Sequence, residues 1–282
     1  MHPDRASRNC QEQNAFTPGI QKVTTEVSQC ITPLVLTYNE EANIGRTLKS
    51  LSWARRIVVL DSGSTDSTEE ITQGFENVSW FVRPFDRHDN QWKYGIHETG
   101  IDTEFAMALD ADMATPPLLL RDIERRFLCG RYAGAMIPIH ISYFGNRLSG
   151  SLCPRQLRLF RVADVKVAQS GHTQEFTVRG KTCRLTHGLF HDDQKPIDRW
   201  MDSQLRYSSL ENQRLNRRSG LRIRDRIRRT GLMPLVVFPL AYILGGPFRG
   251  RSALRYALER AACECLLALR ALDNQLRNES KR

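Results

Sequence analysis

The chain is 282 residues long, with 40% hydrophobic and 26% charged residues, which supplies one large core and excludes both a disordered chain and a small disulfide scaffold. Seven cysteines, an odd number with no CxxC pair, read as free thiols in a reducing compartment rather than as a zinc or redox framework. The formal net charge of +10 calls for an anionic partner or a basic surface. Residues 1–29 are polar and lack an apolar h-region, so they read as a poorly ordered N-terminal segment and not as a secretory signal. A buried strand is predicted over 31–36, a helix over 43–51 and a second strand over 56–60. A helix over 67–75, a strand over 78–82, a helix over 89–99 and a strand over 105–109 follow. Apolar runs alternating with helices predict an α/β domain on a parallel sheet covered on both faces. From Tyr132 to Val178 the pattern shifts to short β-like runs, at 133–141, 157–161 and 175–178, which make the sheet mixed. From Pro196 onward the chain is helical and basic.

Three acidic groups follow predicted strands: Glu40 and Glu41, Asp61, and Asp110 with Asp112. The carboxyl ends of parallel strands share one edge, so these residues converge on one cleft. A single aspartate in such a place is most simply a turn former or cap; three successive strand ends so equipped point to a binding site. Carboxylates spaced i, i+2 suit a divalent cation, and such a cation suits a diphosphate.

The runs Leu36-Thr37-Tyr38-Asn39-Glu40-Glu41, Val58-Val59-Leu60-Asp61-Ser62-Gly63-Ser64-Thr65-Asp66 and Leu109-Asp110-Ala111-Asp112 occur in an order and spacing that resemble glycosyltransferase family 2. The resemblance covers about residues 31–200. It implies a GT-A fold, a Rossmann-like mixed sheet flanked by helices, and an inverting transfer of sugar from a nucleotide-sugar donor, by default a UDP-sugar. It implies that Thr37, Tyr38 and Glu40 line the nucleoside pocket, that Asp61 bonds the base, and that Asp110 and Ala111 face the ribose or sugar. Asp112 would hold Mg2+ or Mn2+ against the diphosphate, with His191 as a late metal ligand. Arg83 and Lys93 either help hold the diphosphate or belong to a solvated helix face. The run Arg155-Gln156-Leu157-Arg158-Leu159-Phe160-Arg161 resembles the family's acceptor-side strand. Glu175, in Gly171-His172-Thr173-Gln174-Glu175, falls where the family carries its catalytic base, with Asp192 and Asp193 in reserve; the competing reading pairs Glu175 with Arg158. Arg155, Arg158, Lys195 and Arg199 are assigned to acceptor and phosphate contacts.

The chain thus divides into residues 1–29, a catalytic domain over 30–200 and a basic, apolar helical region over 201–282. In that last region Arg214, Arg217, Arg218, Arg222, Arg224, Arg226, Arg228 and Arg229 precede an uncharged run over 232–248. The run is shorter than the roughly 20 residues of a spanning helix, and Pro234 and Pro239 interrupt it. It reads as an interfacial segment on anionic lipid, or else as a buried core helix. The expected protein is peripheral at the cytoplasmic face of the plasma membrane, with a lipid-linked or cell-envelope polysaccharide acceptor. A polyprenyl phosphate acceptor is the alternative. Arginines beside an apolar run rather than among stacking aromatics speak against nucleic acid. The missing glycine-rich loop speaks against nucleotidyl transfer.

Overall fold

The computed structural model describes residues 26–171, 173–217, 226–228 and 230–280. Most of the N-terminal segment, together with His172, Arg218, Arg222, Arg224 and Arg229, lies outside the described residues. Four strands form the parallel part of the main sheet: β1 (Ile31–Thr37), β2 (Ile57–Asp61), β3 (Val78–Val82) and β4 (Phe105–Asp110). They alternate with α1 (Ile44–Ser50), α2 (Thr68–Gln73) and α3 (His88–His97). A short β5 (Met113–Ala114) is followed by α4 (Pro117–Asp122), which continues as a wider π-helical turn over Ile123–Leu128.

The next strands are β6 (Gly134–Ile137), β7 (Ile139–Tyr143), β8 (Asn146–Arg147), β9 (Gln156–Arg161), β10 (Val165–Ser170), β11 (Thr173–Val178), β12 (Thr182–Arg184) and β13 (Leu189–His191). The main sheet runs β12-β6-β9-β4-β1-β2-β3, with β9 antiparallel to both its neighbours. A smaller sheet, β5-β13-β7-β8, stands at the carboxyl edge, and β10 and β11 form a separate hairpin. The mixed sheet with flanking helices is the expected architecture.

The apolar runs alternate between two faces with a period of two. Val35, Val59, Met107 and Leu109 pack with Ile44, Leu48 and Leu51 on one side. Leu34, Val58, Leu60, Ala106 and Ala108 pack with Trp92, Ile96 and Phe160 on the other. Each buried Val, Leu, Ile, Met or Phe among them is worth roughly 1.5–3 kcal/mol relative to exposure, so this double packing, more than local helix propensity, fixes where the strand ends lie. α3 sits close enough to β1 that a Cβ on Gly95 would stand 2.9 Å from Leu34. That contact explains a glycine inside a helix.

Three helices follow: α5 (Ile197–Arg217), α6 (Met233–Gly245) and α7 (Arg251–Glu279). α6 is neither fully buried nor a span. Its Val237, Ala241 and Gly245 are buried, and Ala241 clusters with Ala253, Tyr256 and Ala257 of α7. Leu235 and Ile243 on α6 remain 73% and 65% exposed, and Phe248 beyond it is fully exposed. No helix among the described residues is long and apolar enough to cross a membrane.

Candidate active site

The β1–α1 and β2–α2 turns are tied to each other by side chains. Asn39, at φ 54°, takes the left-handed conformation that asparagine tolerates. Its Oδ1 accepts the Thr65 amide at 2.8 Å, and its own amide donates to Ser64 Oγ at 2.8 Å. Asp61 lies beneath this junction, 2% exposed. Its carboxylate accepts the amides of Gly63 and Ser64 at 2.7 Å each, Thr37 Oγ1 at 3.0 Å and Ser64 Oγ at 2.5 Å. Asp61, expected to touch a base, has its acceptor capacity occupied by its own loops, and Ser62 faces the cleft in its stead. Asp61→Ala is expected to cost about 2–4 kcal/mol, because buried donors lose their acceptor. Urea denaturation of the two proteins measures this directly, and a loss below about 0.5 kcal/mol would show that the turns hold without it.

At the end of β4, Thr47 Oγ1 of α1 donates to the Ala111 carbonyl at 2.6 Å and pins the Asp110–Asp112 turn. Asp110 forms a two-point ion pair with Arg158 of β9, at 2.8 and 3.3 Å. Burial works against ionisation of Asp110, but the Arg158 guanidinium outweighs it and holds the carboxyl below its ordinary range. Pairing of β13 with β5 sets His191 opposite Met113, which brings His191 Nε2 to 3.3 Å from Asp112 Oδ2. Asp112 is 8% exposed, and its Oδ1 is buried with no hydrogen-bond partner among the described residues. Burial raises the Asp112 carboxyl; His191 and Lys195 oppose this and Asp110 and Asp193 reinforce it, for a net upward shift.

Lys195 sits 2.7 Å from Glu40 and 3.0 Å from Asp193. Asn43 Nδ2 donates to both carboxylates, at 2.8 and 2.9 Å. Burial and then Asp112 push Glu40 up to about 7, against the pull of Lys195 and Asn43. Burial lowers Lys195, but Glu40, Asp112 and Asp193 more than compensate and raise it. Asp192 serves a loop: it accepts the amides of Phe144 and Gly145, both at 2.8 Å. Those contacts hold Phe144 at φ 50°, which is uncommon for a bulky residue.

Thr37, Tyr38, Glu40, Asp110, Ala111, Asp112, Arg158, Glu175, His191, Lys195 and Arg199 line one cleft at the carboxyl edge of the sheet. Its volume is about 1910 Å³, against roughly 300–1,000 Å³ for a typical single-ligand pocket, so two substrates fit side by side. Glu175 is exposed on β11 and has no ion-pair or hydrogen-bond partner among the described residues. Arg158, its suggested partner, is spent on Asp110. Three expected contacts stand outside the cleft wall. Arg83 is held by Asp86 at 2.9 Å and by Gln91 at 2.6 Å, and Lys93 by Asp89 at 2.9 Å. Arg155 turns to the Leu185 carbonyl. None of the three side chains lines the cleft. Sequence reasoning also missed cleft residues: Arg206 and Tyr207 on α5, and Arg255, Tyr256 and Arg260 on α7.

No cluster of three or more His, Cys, Asp or Glu side chains suited to a metal occurs among the described residues. Asp112 with its orphaned oxygen and the adjacent His191 still form a two-ligand set that fits a divalent cation. Mg2+ in particular is commonly held by one or two carboxylates plus substrate phosphates and water.

The mixed sheet, the acidic turn after β4 and the cleft they bound define an α/β domain with one large polar cleft at the carboxyl ends of its parallel strands. Residues 34–167, a little under half of the chain, match the family described as "Glycosyl transferase family 2". A segment of 53 residues is 36% identical to lipopolysaccharide core biosynthesis glycosyltransferase LpsC of Rhizobium meliloti (strain 1021). That match spans 19% of this chain and 20% of the relative. The crystal structure of S. aureus TarS 1-349 in complex with UDP-GlcNAc superimposes with a TM-score of 0.51 at 14% identity, over 89% of this chain and 92% of the other. At that identity the likeness establishes the fold alone.

Proposed function

We propose that the protein is a glycosyltransferase that moves a sugar from a nucleotide-sugar, in the first instance a UDP-sugar, to a lipopolysaccharide or other cell-envelope acceptor with inversion. The observation that carries this reading is the Asp112 Oδ1 atom, buried and unpartnered in a cleft large enough for two substrates. A buried carboxylate left without a partner is costly, and a cation–diphosphate complex is the species that completes it. Thr37, Tyr38 and Glu40 bind the nucleoside side of the donor, and Asp110 and the Ala111 backbone the ribose or sugar. Lys195 and Arg199, which line the cleft beside the acidic turn, bind donor phosphate. Bound at Asp112 and His191, Mg2+ or Mn2+ supplies relief of the charge on the departing diphosphate. Glu175 accepts the proton of the acceptor hydroxyl as that oxygen bonds to the anomeric carbon, and the bond from that carbon to the nucleoside diphosphate breaks. The test is a donor screen that reads nucleoside diphosphate release with Mn2+, with Mg2+ and with chelator. Release from no nucleotide-sugar, under any of these conditions, overturns the reading.

We propose further that the protein docks peripherally on the inner face of the plasma membrane. The exposed Leu235, Ile243 and Phe248 adjoin the exposed Arg249 and Arg251, an apolar surface with a basic border that suits anionic lipid. The protein is expected to pellet with phosphatidylglycerol vesicles and not with phosphatidylcholine vesicles, and Phe248→Asp is expected to weaken pelleting several-fold. Equal behaviour on the two lipids, or no pelleting at all, removes the proposal.

A further inference from the structure

Arg260 of α7 lines the cleft and is only partly exposed. A guanidinium withdrawn from water needs a counter-charge, and the local acids that would serve are engaged elsewhere. Glu259, the preceding residue, accepts Arg255 Nε on Oε1 at 2.8 Å and Tyr143 Oη on Oε2 at 2.5 Å. Glu264, at the i, i+4 position that favours a helix ion pair, is taken by Arg228 at 2.8 Å. The one hydrogen bond of the Arg260 side chain among the described residues goes to a thiol, Cys263 Sγ, at 3.1 Å. That thiol donates in turn to Gln204 Oε1 of α5 at 3.2 Å. α5 and α7 therefore meet around a cation that no carboxylate among the described residues neutralises. Arg255 adds a second guanidinium to the same wall, stacked 4.8 Å over the Tyr143 ring, with its charge shared with Glu259.

We infer that this end of the cleft is an anion-recognition subsite for the acceptor, anchored on Arg260. The acceptor then carries an oxyanion, phosphate or carboxylate, close to the hydroxyl that receives the sugar. The inference rests on the proposed transfer reaction and narrows its substrate class. A guanidinium presents paired donors that match both oxyanions. The donor's own phosphates are already served, on the proposed reading, by Asp112, His191, Lys195 and Arg199, so the Arg260 site falls to the second substrate. The fold also gives a reason for the placement: α5 and α7 come from the part of the chain that follows the family domain, where acceptor choice can differ without disturbing donor binding.

The test uses the full chain saturated with UDP and Mn2+, so that the donor site is closed to added anions. Glucose 6-phosphate, glucuronate and methyl glucoside are titrated by saturation-transfer NMR and by thermal shift. The anionic sugars are expected to bind at least tenfold more tightly than the neutral one. The stronger of the two identifies the acceptor's anion as phosphate or carboxylate. Arg260→Gln is expected to bring all three within about twofold of one another, to leave UDP affinity unchanged and, since it removes an uncompensated charge, not to lower the melting temperature. Arg260→Lys is expected to restore part of the preference. Equal binding of all three sugars by the UDP-loaded wild-type protein overturns the subsite, whatever the variants do. An unchanged preference in Arg260→Gln overturns it as well. Failure to bind UDP in the first step instead overturns the donor reading, and the subsite with it.

Discussion

Asp112→Asn is expected to raise stability while it abolishes most turnover. In the wild-type protein Asp112 is 8% exposed, one of its oxygens has no hydrogen-bond partner, and Asp110 and Asp193 add like charge nearby. Burial and that repulsion hold its carboxyl above the ordinary aspartate range, so the folded chain disfavours the charged form of this group. Asparagine keeps the shape and removes the charge. The melting temperature of the unliganded protein is therefore expected to rise, by an amount on the order of 1 kcal/mol in unfolding free energy. Turnover is expected to fall on the order of 10²–10³-fold, the effect of removing one strong electrostatic contact to a developing charge. Mn2+ binding in the presence of UDP, followed by electron paramagnetic resonance, is expected to weaken in parallel. A merely structural aspartate predicts the opposite stability change and no effect on the cation. Wild-type turnover in the variant would sink the assigned role.

Much of the cleft's rim was legible in the sequence. The strand ends were, because a parallel strand buried on both faces reads as an unbroken apolar run, as at Val58-Val59-Leu60, and the polar residue that follows must sit at the rim. The acidic turn after β4 was legible for the same reason. Arg83 and Lys93 pair locally: Arg83 with Asp86, three residues on in the loop after β3, and Lys93 with Asp89, one helical turn back on α3. Arg155 differs: its acceptor, the Leu185 carbonyl, is distant in sequence, and no local pattern reports it. The loop contacts of Asp61 were not legible, since two loops from different strand ends converge on it only in three dimensions. The cleft wall built by α5 and α7 was the least visible part. Arg255 and Arg260 lie in a leucine- and arginine-rich helix whose composition suits a membrane surface as well as a cleft. Which face turns inward is decided by small residues on α6 and α7, Ala241, Gly245, Ala253 and Ala257, that let the two helices approach.

Glu175→Gln is expected to reduce transfer by roughly 10²–10⁴-fold, the range for loss of a positioned general base. Its stability is expected to stay within about 0.5 kcal/mol of wild type, because an exposed carboxylate with no partner among the described residues has nothing to lose on neutralisation. The other nearby carboxylates are poorly placed to substitute. Asp192 holds the Phe144–Gly145 turn, Asp193 is bound by Asn43 and Lys195, and Asp110 is clamped by Arg158. A base also leaves a signature that a binding contact does not. The fall should appear in kcat with KM for the donor little changed, and the acid limb of the kcat/KM pH profile, which reports protonation of the base, should flatten in the variant. Glu175→Asp, which retains the carboxylate on a shorter stem, should recover part of the rate. Were the glutamine variant to lose acceptor affinity alone, with kcat and the acid limb intact, Glu175 would be a binding residue. The proton would then have to leave through one of the clamped aspartates, each of which would first have to be released by substrate.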